Sequence, residues 1–260
     1  MDFFQQYYLA VPKFMLIFAR LSALLITLPV FSSSVIPGQV RILFAFVLSF
    51  ILVTLLPDPG LHVLSPISFF ILVGREILFG ALIGLGANIL FEAFAMAGGL
   101  IARQLGMGIA NVMDPSSQEQ QPIFGQFFLF VMIAFLFATN GHHMLVVTLF
   151  DNFSLLPLGQ GSLADSAGET VVRVMSTALT YSVKLALPAT IFLLILDTAF
   201  AFLARVMPQM NVFFVTLPLK VGLGYFIMII SMDIFQSMFD SLFHDVYLYI
   251  GTMARQLGGV

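Results

Sequence analysis

Long apolar runs alternate with short polar joints along this chain. The runs cover residues 14–31, 42–56, 67–101, 123–139, 174–203 and 212–232. A helix that crosses a bilayer needs about 20 mostly apolar residues. The run 67–101 is too long for one straight span, and its glycines predict an interruption. Breakers mark the joints: "SSSVIPGQ" (32–39), "LLPDPG" (55–60) and "LPLGQGSLADSAGE" (156–169). In "RVMPQMN" (205–211), Pro208 predicts a tight turn, so the last two runs read as a helical hairpin. No internal repeat or low-complexity tract is evident.

The tail follows a different pattern. In residues 233–257, Phe235, Met238, Phe239, Leu242, Val246, Tyr249, Met253 and Leu257 recur at helical spacing. Asp233, Ser237, Asp240, Ser241, His244 and Asp245 fall largely on the other side. A helix lying on a membrane surface would carry Lys and Arg there. This one is acidic, so its apolar stripe is expected to pack on partner subunits.

Charges interrupt most of the runs, at Arg20, Arg75, Glu76, Glu92, Lys184, Asp197 and Lys220. One charge at the centre of a lipid-facing helix costs at least about 2.5–3.5 kcal/mol. These faces therefore meet protein. Either each charge snorkels or pairs inside an ordinary bundle, or the chain is one wedge of a larger assembly. Glu92, Lys184, Asp197 and Lys220 are the candidate buried charges. Asp197, in "LLILDTAF", is a candidate proton relay or the partner of a cation on another helix. Lys184 lies about 220° around the same helix and does not share its face. The positive-inside rule gives a near tie: Arg41, Arg103 and Arg205 fall on one side of alternating spans, and Lys13, Arg173 and Arg255 on the other.

Composition fixes the class. The 260 residues are 60% hydrophobic and only 9% charged, with a mean hydropathy of +1.06, where soluble domains carry about 25% charged residues. This is a membrane protein. With 30 Phe and no Trp, only the six Tyr could form an interfacial aromatic belt. The absence of cysteine excludes disulfides, Cys-ligated zinc and a thiol nucleophile. A formal charge of −3 argues against nucleic acid as a partner. The start, "MDFFQQYYLAVPKF", lacks the basic region of a signal peptide, so the first run is expected to stay on the protein.

Candidate chemistry is sparse. Gly80 and Gly84 form a GxxxG that Ala95 and Gly99 extend as a small-residue stripe. Such stripes let helices approach closely, within a chain or between subunits. "NGHH" (140–143) places two histidines at the end of a run. A catalytic metal site usually needs three protein ligands, and with no HExxH the motif reads better as a polar turn. No cofactor is expected. An intramembrane aspartyl protease would need two carboxylates in one site, and no G-x-S-x-G or phosphate loop exists. No enzyme is indicated.

Three stretches together resemble the FliR family of flagellar biosynthetic and type III secretion export-gate proteins. They are "GREILFGALIGLGANILFEAFAMAGGLIARQLGMGIANVMDP", "NGHHMLVVTLFDNFSLLPLG" and "KLALPATIFLLILDTAFAFLARVMPQMNVFFVTLPLKVGLG". The most specific parts are 140–143, 185–188, and 208–213 with 218–220. The resemblance covers nearly the whole chain. It implies an all-α integral membrane protein of bent helical hairpins, with a FliP-like part at 1–170 and a FliQ-like hairpin plus amphipathic helix at 171–260. It implies a core component of an export gate, built with FliP and FliQ and served by FlhB and FlhA. That gate passes unfolded flagellar subunits across the bacterial inner membrane at the flagellar basal body. The polar loop 103–122 then corresponds to a pore loop that plugs the closed channel, with Gly106, Met107, Gly108, Met113, Asp114 and Pro115 in the plug. Glycines allow the backbone conformations such a loop needs, and methionines seal irregular surfaces. The turn carrying Arg205, Pro208, Gln209 and Asn211 is expected to face the cytoplasm, with Arg205 contacting FlhB. The alternative from the residues alone is a stand-alone secondary transporter or channel.

Overall fold

The computed structural model describes residues 3–28, 31, 36–58, 65–107, 123–162, 165–209 and 211–259. The helices among them are α1 (Phe3–Thr27), α2 (Gly38–Leu55), α3 (Pro66–Gln104), α4 (Ile123–Ala138), α5 (Gly141–Leu155), α6 (Asp165–Val206), α7 (Val212–Ile230) and α8 (Met232–Gly258). Helices α1, α2, α3 and α6 each hold a window long and apolar enough to cross a membrane. The pairs α4 with α5, and α7 with α8, pass the same test as broken spans; the second pair bends by 55°. The chain is an all-α membrane protein.

Helix α3 departs from expectation. It runs 39 residues without interruption, about 58 Å at 1.5 Å per residue. A glycine inside a helix costs up to about 1 kcal/mol against alanine. Here close packing compensates. A Cβ on Gly80 would strike the carbonyl oxygen of Arg20, one on Gly84 the hydroxyl of Thr27, and one on Gly86 the ring of Tyr249. Gly80 and Gly84 therefore seat α3 on α1 of the same chain, not on another subunit. Further along, Gly125 on α4 would place its Cβ 3.0 Å from the Ala95 carbonyl oxygen, and Gly99 is buried.

Helix α5 was not foreseen. Asn140 takes the left-handed conformation, with φ of 56°. Asparagine tolerates this better than most residues, and the chain re-enters a helix at Gly141. The motif is thus the polar turn expected, followed by a further helix.

By their contacts the residues form two compact units. One comprises Met1–Leu90, Asn140–Met175 and His244–Val260; the other comprises Phe91–Thr139 and Ser176–Phe243. This partition follows contact, whereas the division at residue 170 follows resemblance, and the two cut the chain at different places.

The first unit has a core of Leu16, Ile17 and Leu21 from α1, Leu52 and Leu56 from α2 and its end, and Phe153 and Leu158. Lys13 donates to the carbonyl oxygens of Val53 (2.8 Å) and Leu56 (2.5 Å), which places a cation on the unsatisfied C-terminus of α2.

The second unit is built on stacked phenylalanines. Phe235 meets Phe94 edge-on at 4.6 Å and Phe128 face-on at 5.5 Å, and Phe135 lies against both Phe235 and Phe239. Phenylalanine fills volume without a polar atom to satisfy, and such ring pairs add attraction beyond area burial.

The tail is helical, as its periodicity predicts. Its stripe is covered differently from expectation, because the chain buries it itself. Phe235, Phe239, Leu242, Val246, Tyr249, Met253 and Leu257 are all at most 4% exposed. Phe235 sits in the ring cluster of the second unit. In the first unit, Tyr249 donates to the Leu82 carbonyl at 2.8 Å.

Candidate functional site

The geometry of interest begins where α3 ends. Leu105 N–H bonds to Ile101 O at 2.9 Å, Gly106 N–H to Arg103 O at 3.1 Å and Met107 N–H to Ala102 O at 3.1 Å. Gly106 has φ of 81°. This is a Schellman cap, in which a left-handed glycine turns the chain out of the helix and satisfies its last carbonyls. Of the loop residues read from the sequence, Gly106 and Met107 belong to this cap. Gly108, Met113, Asp114 and Pro115 lie outside the described residues.

Gln104, the last residue of α3, sits in a polar cluster of the second unit. Lys220 on α7 forms an ion pair with Asp197 on α6. The Gln104 side chain donates to Asp197 Oδ2 at 3.4 Å, and Lys220 Nζ donates to the Gln104 carbonyl at 3.5 Å. Lys220 thus answers the question Asp197 posed, since a cation on another helix neutralises it. One turn further along α7, a Cβ at Gly224 would meet the Leu105 side chain. The Tyr225 ring lies 5.1 Å from that of Phe124, in the first turn of α4.

Asp197 and Lys220 sit at nearly equal distances from Pro208. That is what an antiparallel hairpin closed by the 205–211 turn requires. Arg205, Pro208, Gln209 and Asn211 are all exposed.

The expected buried charges divide. The Asp197 and Lys220 side chains are 40% and 14% exposed. Glu92 and Lys184 are exposed on the chain surface, a correction to the expectation of burial. Each stands on a helix face that this chain leaves at least partly uncovered.

The fully buried pair is another one. Arg20 Nε donates to Glu76 Oε2 at 2.5 Å, and both side chains have no exposure. Arg20 Nη1 donates to Leu156 O at 2.6 Å, and the guanidinium lies 4.7 Å above the Phe153 ring. The second Glu76 oxygen accepts the Gly159 N–H at 2.9 Å. Read from sequence, these two residues were interruptions and nothing more. The missing signal was the pairing itself, 56 positions apart in the chain.

His142 and His143 lie ring to ring at 4.2 Å, and among the described residues no group of three His, Asp or Glu could hold a metal. The polar features are ion pairs and helix caps, and they position helices.

The profile of the family described as "Bacterial export proteins, family 1" matches residues 11–246. The flagellar biosynthetic protein FliR of Bacillus subtilis (strain 168) is 30% identical over 226 residues, 86% of this chain and 87% of its own. The FliR of Aquifex aeolicus (strain VF5) is 30% identical over 233 residues, 90% of each chain. That of Escherichia coli (strain K12) is 27% identical over 238 residues, 92% of this chain and 91% of its own. With matches of this length, and with long apolar helices throughout, the chain belongs to the FliR family of bacterial export proteins.

Proposed function

We propose that this protein is a core subunit of a type III secretion export gate, assembled with FliP- and FliQ-like chains in the bacterial inner membrane at the flagellar basal body. The gate passes unfolded flagellar subunits, with FlhB and FlhA as further partners. In this reading residues 1–170 are the FliP-like part and 171–260 the FliQ-like hairpin with its amphipathic helix. The turn bearing Arg205, Pro208, Gln209 and Asn211 faces the cytoplasm. The part of 103–122 that follows the cap of α3 plugs the closed channel.

One observation carries the reading. Along α6, Val172, Leu179, Val183, Leu187, Ile191, Ile195, Phe202 and Val206 are exposed, at four- and seven-residue spacing, a band that winds about half-way round the helix along its length. From Val172 to Val206 this stripe is about 51 Å long. The hydrocarbon layer is about 30 Å thick. A straight helix would have to tilt by about 54° to lay the whole stripe in lipid, beyond the roughly 40° limit of spanning helices. Protein must cover the remainder, which suits a subunit of a helical assembly. A stand-alone transporter would bury its polar site at the midplane between repeats; here Asp197 is spent on Lys220.

Co-expression with FliP- and FliQ-like chains and purification in mild detergent tests the assembly. The expected result is one stable complex containing all three. Recovery of this chain alone, with the others left behind, would overturn the reading. The plug has its own test: deleting residues 108–111 should leave the complex intact and make the membrane leak small ions. A tight membrane would place the seal in another subunit.

A further inference from the structure

Lys184 stands exposed within the apolar band of α6. Val172, Met175, Leu179 and Val183 are exposed before it, and Leu187, Ile191 and Ile195 after it. Among the described residues its ammonium has no hydrogen bond and no ion pair. Glu76 is held by Arg20 and Asp197 by Lys220, so neither acid serves it. Arg173 lies eleven residues away, about 16 Å along the helix. A four-carbon stem does not carry the ammonium to that level. A second group of the same residue also lacks a partner. Pro188 lies inside α6, four positions after Lys184. Proline has no N–H, so the helical bond to the Lys184 carbonyl cannot form. Leu187 is exposed and Pro188 partly so, and the carbonyl opens on the same uncovered side as the ammonium.

We propose that Lys184 and its freed carbonyl are a docking site for a helix of a neighbouring subunit, one that carries a carboxylate and, about two turns away, a hydroxyl or amide donor. The inference rests on the gate reading above. The chemistry selects this occupant. An ammonium among apolar side chains is costly unless it is paired, and its counter-charge has to come from another chain. The carbonyl needs a donor, which lipid tails do not offer. A carboxylate alone would leave the carbonyl bare, and a donor alone would leave the charge. The spacing follows from helix geometry. A helical side chain leans over the turn before it, which directs the ammonium towards the level of Thr180. The carbonyl points the other way, towards Pro188. The two contacts therefore fall about 10 Å apart along the axis.

The test compares the lone chain with the complex it forms with FliP- and FliQ-like chains. Lys184→Met keeps an apolar stem and drops the charge. The lone chain should unfold in detergent at the parental midpoint. Its affinity for the partner chains should fall at least about thirtyfold, the cost of stripping one member from a buried charge pair. Lys184→Arg should retain most of the affinity. Pro188→Ala restores a donor to the carbonyl, so the lone chain should be at least as stable as the parent. The complex should still weaken, by about fivefold, for one lost hydrogen bond. A purely structural role would not move the two readouts in opposite directions. Lys184→Glu should block assembly, and second-site changes that restore it should neutralise or reverse an Asp or Glu in a neighbouring chain. Parental affinity of Lys184→Met would overturn the proposal and leave the ammonium to a lipid headgroup. A lowered midpoint of the lone Lys184→Met chain would overturn it too, by giving Lys184 a role in this fold. So would suppressors confined to this chain. If the parental chain itself does not assemble, the gate reading fails first.

Discussion

Each unit of the molecule places an ion pair between apolar helices, and the two pairs are built to different standards. In the first unit, Arg20 and Glu76 are wholly buried. Each carries further bonds: a carbonyl and an aromatic face for the guanidinium, a backbone N–H for the carboxylate. In the second, the Asp197 side chain is 40% exposed, and the bonds around it are 3.4 and 3.5 Å long. Moving an ion out of water carries a desolvation penalty of several kcal/mol, recovered only when nearly every lone pair and proton finds a partner. The first pair meets much of that demand, with Arg20 Nη2 left without a hydrogen-bond partner, and ties α1, α3 and the 156–159 turn into one block. The second leaves its carboxylate partly uncovered by this chain, so the rest of that demand falls on whatever the assembly places beside it. One joins two helices and a turn; the other holds the last residue of α3.

The largest expected effect comes from breaking the buried pair. Glu76→Gln leaves the Arg20 guanidinium buried without its counter-charge, which costs about 3–5 kcal/mol. Thermal unfolding in detergent should show a large fall in midpoint and poor recovery of the chain from membranes. Replacing both residues, as Arg20→Met with Glu76→Met, should return most of the loss, since a buried pair exchanged for apolar side chains of similar size is often close to neutral. A double variant no better than the single one would mean that the pair does more than balance charge.

Asp197→Asn should do far less to the fold. Partly exposed pairs are worth about 0.2–1 kcal/mol, and asparagine keeps an oxygen to accept the Gln104 amide. The same unfolding measurement should place it within about 1 kcal/mol of the parent. A loss as large as that of Glu76→Gln would erase the distinction between the two units.

The same contrast shows what could be read in the sequence. Apolar runs reveal their helices because period and length are local properties, and each of the six runs holds a helix. The acidic face of α8 was equally legible. Two kinds of information were not. Glycine in an apolar run signals either a break or a close approach, and only the partner decides; Gly80 and Gly84 face α1, so α3 continues. A charge in such a run signals only that something neutralises it. Nothing local distinguishes Glu76, sealed against Arg20, from Glu92, which is exposed. Helix α5 was missed for a related reason. At 15 residues it is too short to read as a span, and its start hides in a turn motif. The stripe on α8 was read correctly as a packing face but assigned to the wrong owner, because periodicity reports that a face is covered and never by what.

The smallest expected effect separates shape from charge within the second unit. Gly222 and Gly224 lie two positions apart on α7. A Cβ at Gly224 meets Leu105, whereas one at Gly222 meets nothing within 4 Å. Alanine in a helix interior is about 0.8–1.0 kcal/mol more favourable than glycine. Gly222→Ala should therefore leave the isolated chain as stable as before or slightly more so. Gly224→Ala should destabilise it, because Leu105 must move and the cap of α3 with it. Unfolding of the two variants in detergent makes the comparison, and a destabilised Gly222→Ala chain would contradict it. In the complex the order is expected to change. An exposed glycine on a membrane helix lets a neighbouring backbone approach closely, so Gly222→Ala should lower recovery of the assembled gate while sparing the lone chain. Equal recovery of both would mean that no neighbour approaches α7 at this position, and that the glycine serves neither the fold nor the assembly.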